Sequence, residues 1–246
     1  MPAPASCPLP GEVHVWHGDA GHVFRDRARL GRARAWLEPA ADGRYERYRH
    51  DADRQMFLLG RVMARAMVGG AAGWAPTAWQ WQEGPHGRPE IAAPPTPLRF
   101  NLAHSAGLVV CALANGHDVG IDLEDLERPP IDRHLVRRYC APAEAADIES
   151  RGDGGWRDRF LHYWTLKEAY LKARGLGISV HLADICFTLD GDRARIAFLG
   201  SLAGSDDRWT FRIGQLTPRH LMAVASPVTT PEFRLAVAPF PESALP

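Results

Sequence analysis

The 246-residue chain has no net charge: 29 Lys and Arg balance 29 Asp and Glu. A neutral protein exerts no bulk pull on nucleic acid or on an anionic membrane, so any anionic ligand must be held by a local cluster. Cysteine is also scarce. Cys7, Cys111, Cys140 and Cys186 are spread through the chain with no CxxC pair and no zinc-ligand spacing, so they read as free thiols in a reducing compartment. No apolar run reaches the roughly 18 residues of a membrane span. The start, Met1–Gly11, lacks the basic residues and apolar stretch of a secretory signal. Low-complexity tracts and short-period repeats are missing as well. The expectation is a cytoplasmic, soluble protein with no nucleic-acid and no membrane partner.

Apolar residues make up 46% and charged residues 24%, close to the averages for soluble domains, and the length suits one large domain or two small ones. Alternation or apolar runs bounded by turn residues predict strands at Glu12–Trp16, Trp79–Gln82, Leu98–Leu102, Leu108–Leu113, Val119–Leu123, Ile185–Leu189, Arg195–Leu199, Trp209–Ile213 and Met222–Ala225. Helical spacing predicts helices over Arg25–Leu37, Asp53–Val68, Ile131–Tyr139, Ala143–Ser150 and Arg157–Arg174, the second ended by Gly69-Gly70 and the last by Gly175. Pro85–Pro97 and Arg151–Gly155 read as loops. Strands and helices without a regular alternation favour an α+β fold. The turn Asn115–Asp118 marks the divide between halves, taken as 1–116 and 117–246.

Three segments carry chemistry. In Val119-Gly120-Ile121-Asp122-Leu123-Glu124, strand alternation puts Asp122 and Glu124 on one face, about 7 Å apart, and Val119, Ile121 and Leu123 on the other. Two such carboxylates repel unless a cation lies between them, and hard oxygen donors suit Mg²⁺. A solvated, acid-rich strand end is the alternative. In Phe160–Arg174, FLHYWTLKEAYLKAR, apolar residues surround the helix, so it should be largely buried, yet it carries Lys167, Glu168 and Lys172. Either Glu168 and Lys172 form a plain i,i+4 pair, or Glu168 joins Asp122 and Glu124 at a metal while the lysines meet phosphates. In Phe100-Asn101-Leu102-Ala103-His104-Ser105, a histidine and a serine at a strand end can donate to a phosphate, or simply satisfy local partners.

Together, FNLAHS, VGIDLE and WTLKEAYLK, in this order and at these gaps, resemble the Sfp-type 4'-phosphopantetheinyl transferases across roughly residues 45–225. The resemblance implies two similar α+β halves related by pseudo-twofold symmetry, with the active site in the cleft between them and the Asp53–Val68 helix as the counterpart of Arg157–Arg174. A chain about twice the length of the family's trimeric short members implies a monomer. The reaction it implies is Mg²⁺-dependent transfer of 4'-phosphopantetheine from coenzyme A to a serine of an apo acyl or peptidyl carrier protein, in fatty-acid, polyketide or nonribosomal-peptide synthesis, with release of 3',5'-ADP.

The same resemblance assigns roles. Asp122, Glu124 and Glu168 match the metal carboxylates. Glu168, Lys172 and Asp122 match the catalytic set, Glu168 as the base. Lys167 and Lys172 match the diphosphate-side lysines. His104 and Ser105 match the phosphate contacts, Gly87-Arg88-Pro89 a loop against the nucleotide, and Arg54 a basic group for the 3'-phosphate. Ala103 departs from the family's serine, a loss expected to cost about 1 kcal/mol of coenzyme A binding. Arg137, Arg138 and Tyr139 are candidates for docking the acidic carrier, with a solvated helix face as the alternative. The rival functions are a Mg²⁺-dependent nucleotide or coenzyme A phosphohydrolase, and a non-catalytic coenzyme A or carrier binder.

Overall fold

The computed structural model describes residues 6–84, 86–206, 208–227 and 234–245; Met1–Ala5 of the expected leaderless start and Pro85 of the expected loop lie outside them. In chain order the strands and helices are β1 (Glu12–Asp19), α1 (Ala20–Val23), α2 (Arg27–Arg34), α3 (Pro39–Arg47), α4 (Asp51–Ala72), β2 (Gln80–Glu83), β3 (Pro89–Ala93), β4 (Leu98–Ser105), β5 (Leu108–Asn115), β6 (Gly120–Asp125), α5 (His134–Tyr139), α6 (Pro142–Ser150), α7 (Gly152–Arg174), β7 (Ile185–Asp190), β8 (Arg193–Phe198), β9 (Thr210–Gln215), β10 (His220–Ser226) and β11 (Arg234–Pro239). The fold is α+β. No helix among the described residues is long and apolar enough to cross a membrane.

The chain forms two compact units. The first takes the described residues up to Gly84, Pro89–His117 and those from Arg234 onward. Its main sheet has the order β11-β1-β5-β4. The 22-residue α4 packs on β4 and β5, burying Leu59, Met63 and Met67 against Phe100, Val109 and Leu113. The second holds His86–Arg88 and the described residues between Asp118 and Phe233. Its sheet has the order β6-β10-β9-β8-β7, antiparallel throughout, and the 23-residue α7 lies on β6 and β10. The expected division into 1–116 and 117–246 leaves out this exchange of ends. Residues after 233 return to the first unit because β11 adds in parallel to β1.

The sequence reading differs from the structure at a few helix and strand ends. The expected loop Arg151–Gly155 is the first turn of α7 from Gly152 onward; its glycines and charges hid the helix start. Pro89–Ala93 inside the expected Pro85–Pro97 loop pairs with β2. At the end of α4 the helix runs through Gly69-Gly70 and stops at Gly73, whose φ of 72° is left-handed. Gly69 has a different job: a Cβ there would lie 2.8 Å from the Trp74 carbonyl oxygen.

Candidate active site

The site begins at the contact between β6 and α7. Val119, Ile121 and Leu123 are buried in the core, so Gly120, Asp122 and Glu124 share the opposite face, and that face meets the helix. At Gly120 a Cβ would fall 2.0 Å from the Ala169 carbonyl oxygen and 2.4 Å from the Ala173 nitrogen. Only glycine lets strand and helix backbones approach this closely.

Gly120 lies against Ala169 and Ala173, Asp122 beside Glu168 and Lys172, and Glu124 beside Trp164. Trp164, Glu168 and Lys172 are spaced four apart and fall on one stripe of α7.

Lys172 Nζ donates to Asp122 Oδ1 at 2.6 Å. Glu124 Oε2 accepts from Arg128 at 2.8 Å, and the Trp164 side chain also donates to Glu124. Burial raises the Glu168 pKa above the usual carboxylate range, and the charges of Asp122 and Glu124 push it the same way while Lys172 opposes them. The Glu124 pKa is raised by burial and then by Asp122, against Arg128 and Trp164. The three acids thus feel one another, as only near neighbours do. Asp122 Oδ2 and Glu168 Oε1 are buried without a hydrogen-bond partner. Among the described residues no three His, Cys, Asp or Glu side chains form a ready-made metal group: in this arrangement Lys172 and Arg128 take oxygens of two of the three acids. The orphaned oxygens, all hard donors, fit a divalent cation.

Lys167 corrects the sequence reading. It does not reach this stripe. Its side chain is 1% exposed and ion-pairs with the fully buried Glu144 at 2.7 Å. Its Nζ also donates to the carbonyls of Tyr139, Leu182 and Ile185 at 2.7–2.8 Å. Glu144 in turn accepts from Ala141 N–H, capping α6, and from Phe187 N–H. With its donors spent inside the core, Lys167 has none for a diphosphate.

Arg88 is likewise committed. It donates to the Ala173 carbonyl at 2.6 Å and to Asp118 at 3.0 Å, closing the last turn of α7, whose carbonyls lack helical partners. Gly87 beside it has a φ of 76°, and Pro89 opens β3. Arg54 is held by Asp51 and by the Tyr48 carbonyl. His104 is exposed and Ser105 half-buried at the end of β4. Ala103, next to the exposed His104 on β4, is buried.

Sequence reasoning missed Trp164, Arg128 and Gly120 as parts of the site. The i,i+4 step back from Glu168 was the available signal for Trp164. It also missed a cavity of about 480 Å³ in the first unit lined by Arg44, Arg47, Arg61 and Trp81 together with Glu38 and Glu83, where Arg61 lies 3.7 Å over the Trp81 ring. In the second unit Arg137 is exposed on α5 and lines a hollow of about 290 Å³ with Arg133, His134 and Val136, while Arg138 stacks over Tyr139.

A family model described as the 4'-phosphopantetheinyl transferase superfamily matches residues 118–225, which hold this whole strand–helix pair. The chain is 34% identical over 229 residues to a phosphopantetheinyl transferase of Thraustochytrium sp., covering 88% of this chain and 79% of that one. It is 34% identical over 174 residues to the 4'-phosphopantetheinyl transferase HetI of Nostoc sp., covering 70% and 72%. Against the 4'-phosphopantetheinyl transferase Sfp of Bacillus subtilis it is 27% identical over 158 residues, covering 64% and 69%.

Proposed function

We infer the reaction from one premise: the chain belongs to the 4'-phosphopantetheinyl transferase superfamily, and it is an enzyme of that activity. The substrates are coenzyme A and a carrier protein. In full, the enzyme moves 4'-phosphopantetheine to a serine hydroxyl of an apo acyl or peptidyl carrier and releases 3',5'-ADP, with Mg²⁺ bound by Asp122, Glu124 and Glu168. The observation that carries this reading is the pair of buried, unpartnered oxygens, Asp122 Oδ2 and Glu168 Oε1, among three mutually repelling acids. Leaving such oxygens bare costs stability, and a bound cation recovers it.

When bound, Mg²⁺ supplies positive charge against the diphosphate and the departing 3',5'-ADP. The chain's own residues do the rest. Glu168 is the base that takes the proton from the carrier serine. The serine oxygen bonds to the β-phosphorus as the bond from that phosphorus to the oxygen of 3',5'-ADP breaks. Lys172, paired with Asp122 in the structure, donates to the bridging diphosphate oxygen that leaves with 3',5'-ADP. His104 and Ser105 serve the phosphates of the nucleotide end, and Gly87-Arg88-Pro89 its base. Arg54 serves the 3'-phosphate, on releasing Asp51 and the Tyr48 carbonyl. Arg137 and Arg138 dock the acidic carrier. The protein works as a cytoplasmic monomer.

The test is to incubate the protein with coenzyme A, Mg²⁺ and an apo carrier, then weigh the carrier. The expected result is a gain of one phosphopantetheine. Asp122→Ala should slow loading by at least about 100-fold with its circular dichroism unchanged. Near-normal loading by that variant would refute the site. Release of 3',5'-ADP with the carrier left unmodified would point to the phosphohydrolase.

A further inference from the structure

Arg128 stands in the turn after β6, where Arg128 N–H donates to the Asp125 carbonyl and Arg157, from α7, donates to the Arg128 carbonyl. Its backbone is therefore tied down while its side chain reaches back to Glu124 Oε2 at 2.8 Å. Across the same acidic face Lys172 holds Asp122. Each of these two acids thus has a basic side chain on one oxygen. A guanidinium is charged at any pH the protein meets, so it offsets the repulsion between Asp122 and Glu124 that a bound cation would otherwise relieve.

We propose that Arg128 is a stand-in for the metal at Glu124: it occupies that carboxylate while the cation is away, and the cation must displace it. This rests on the assignment of Asp122, Glu124 and Glu168 as the metal's ligands. The pair is cheap to break, since the Arg128 side chain is 43% exposed and water screens it. Arg128 is thus a modest competitor for Glu124. Lys172 has a second use, at the diphosphate. Arg128 has none assigned, so its effect on the metal can be read separately.

The experiment titrates the full-length protein, without coenzyme A, with Mn²⁺ and follows the free-ion signal by electron paramagnetic resonance. Arg128→Gln should bind Mn²⁺ about two- to fivefold more tightly than wild type, and Arg128→Lys should return towards the wild-type value. Circular dichroism should be the same for all three, because the tie from Arg157 is to the main chain. Equal or weaker Mn²⁺ binding by Arg128→Gln overturns the proposal while leaving the metal site standing. If the wild type binds no Mn²⁺, or Asp122→Asn binds it as well as wild type, the ligand assignment fails and this inference falls with it.

Discussion

The chain's only two lysines, Lys167 and Lys172, stand five residues apart on α7 and live in opposite surroundings. Five residues turn a helix through about 500°, so the two side chains leave it about 140° apart. Lys167 enters the core and is closed on all sides by Glu144 and three carbonyls. Lys172 leaves towards β6 and pairs with Asp122, beside two carboxylate oxygens that have no partner. A buried charge that is fully satisfied holds structure together. A buried acid left half satisfied is stability given up for a ligand. Glu144 ties α5, α6, α7 and β7 through one ion pair, and that closed face of α7 keeps the stripe of Trp164, Glu168 and Lys172 on the other face aimed at β6.

The comparison breaks most severely at the closed face. Lys167→Met strands the Glu144 carboxylate in the core, and Glu144→Gln weakens the same pair from the other side. Removing one partner of such a pair costs about 3–5 kcal/mol, so Lys167→Met should lower the urea midpoint accordingly, with activity lost only as the fold is lost. Joint replacement, Glu144→Leu with Lys167→Met, should recover much of that loss. A loss of stability below about 1 kcal/mol for Lys167→Met would mean that the two faces of α7 do not differ as described.

Gly120→Ala sharpens the comparison by opening the other face. The new Cβ would collide with backbone atoms of Ala169 and Ala173, which cannot swing aside as a side chain can. Overpacking of this kind costs about 1–3 kcal/mol. It also moves Asp122 away from Glu168 and Lys172, so carrier loading should fall at a temperature where the variant is still folded. Full activity in a folded Gly120→Ala protein would break the link between that close approach and the site.

What the sequence made legible follows the same divide. Strand alternation in Val119–Glu124 placed Asp122 and Glu124 on one face, and the apolar wrap of Phe160–Arg174 announced a buried helix. Those are local periodicities, and local periodicity survives folding. Lys167 was misread because a motif gives residue types and spacing, while its partner Glu144 lies 23 residues away with nothing local to mark it. The acceptors of Arg88, the Ala173 carbonyl and Asp118, were hidden for the same reason. β11 went unseen because Arg234–Pro239 is a short, alanine-rich stretch that becomes a strand by pairing with β1, more than 200 residues earlier.

The smallest effect lies at the start of α7, where charge is neither sealed in nor held for a ligand. Asp147 on α6 accepts from Arg159 and from Tyr163 O–H of α7, and from Arg151 at 3.0 Å. Burial opposes its charge, but those donors outweigh burial and hold the carboxyl down at about 2. An unfolded aspartate titrates near 3.9, so ionised Asp147 favours the folded state at neutral pH; that contribution is complete above about pH 4 and drains away as the pH falls towards 2. Asp147→Asn should therefore lose about 1 kcal/mol at pH 7, discounted for the exposure of its partners, and its melting temperature should converge with that of wild type on acidification. A gap that stayed constant down to pH 2 would assign Asp147 a role in shape rather than in charge, and would leave the sealed pair of Lys167 and Glu144 to bind α6 to α7 through ionisation.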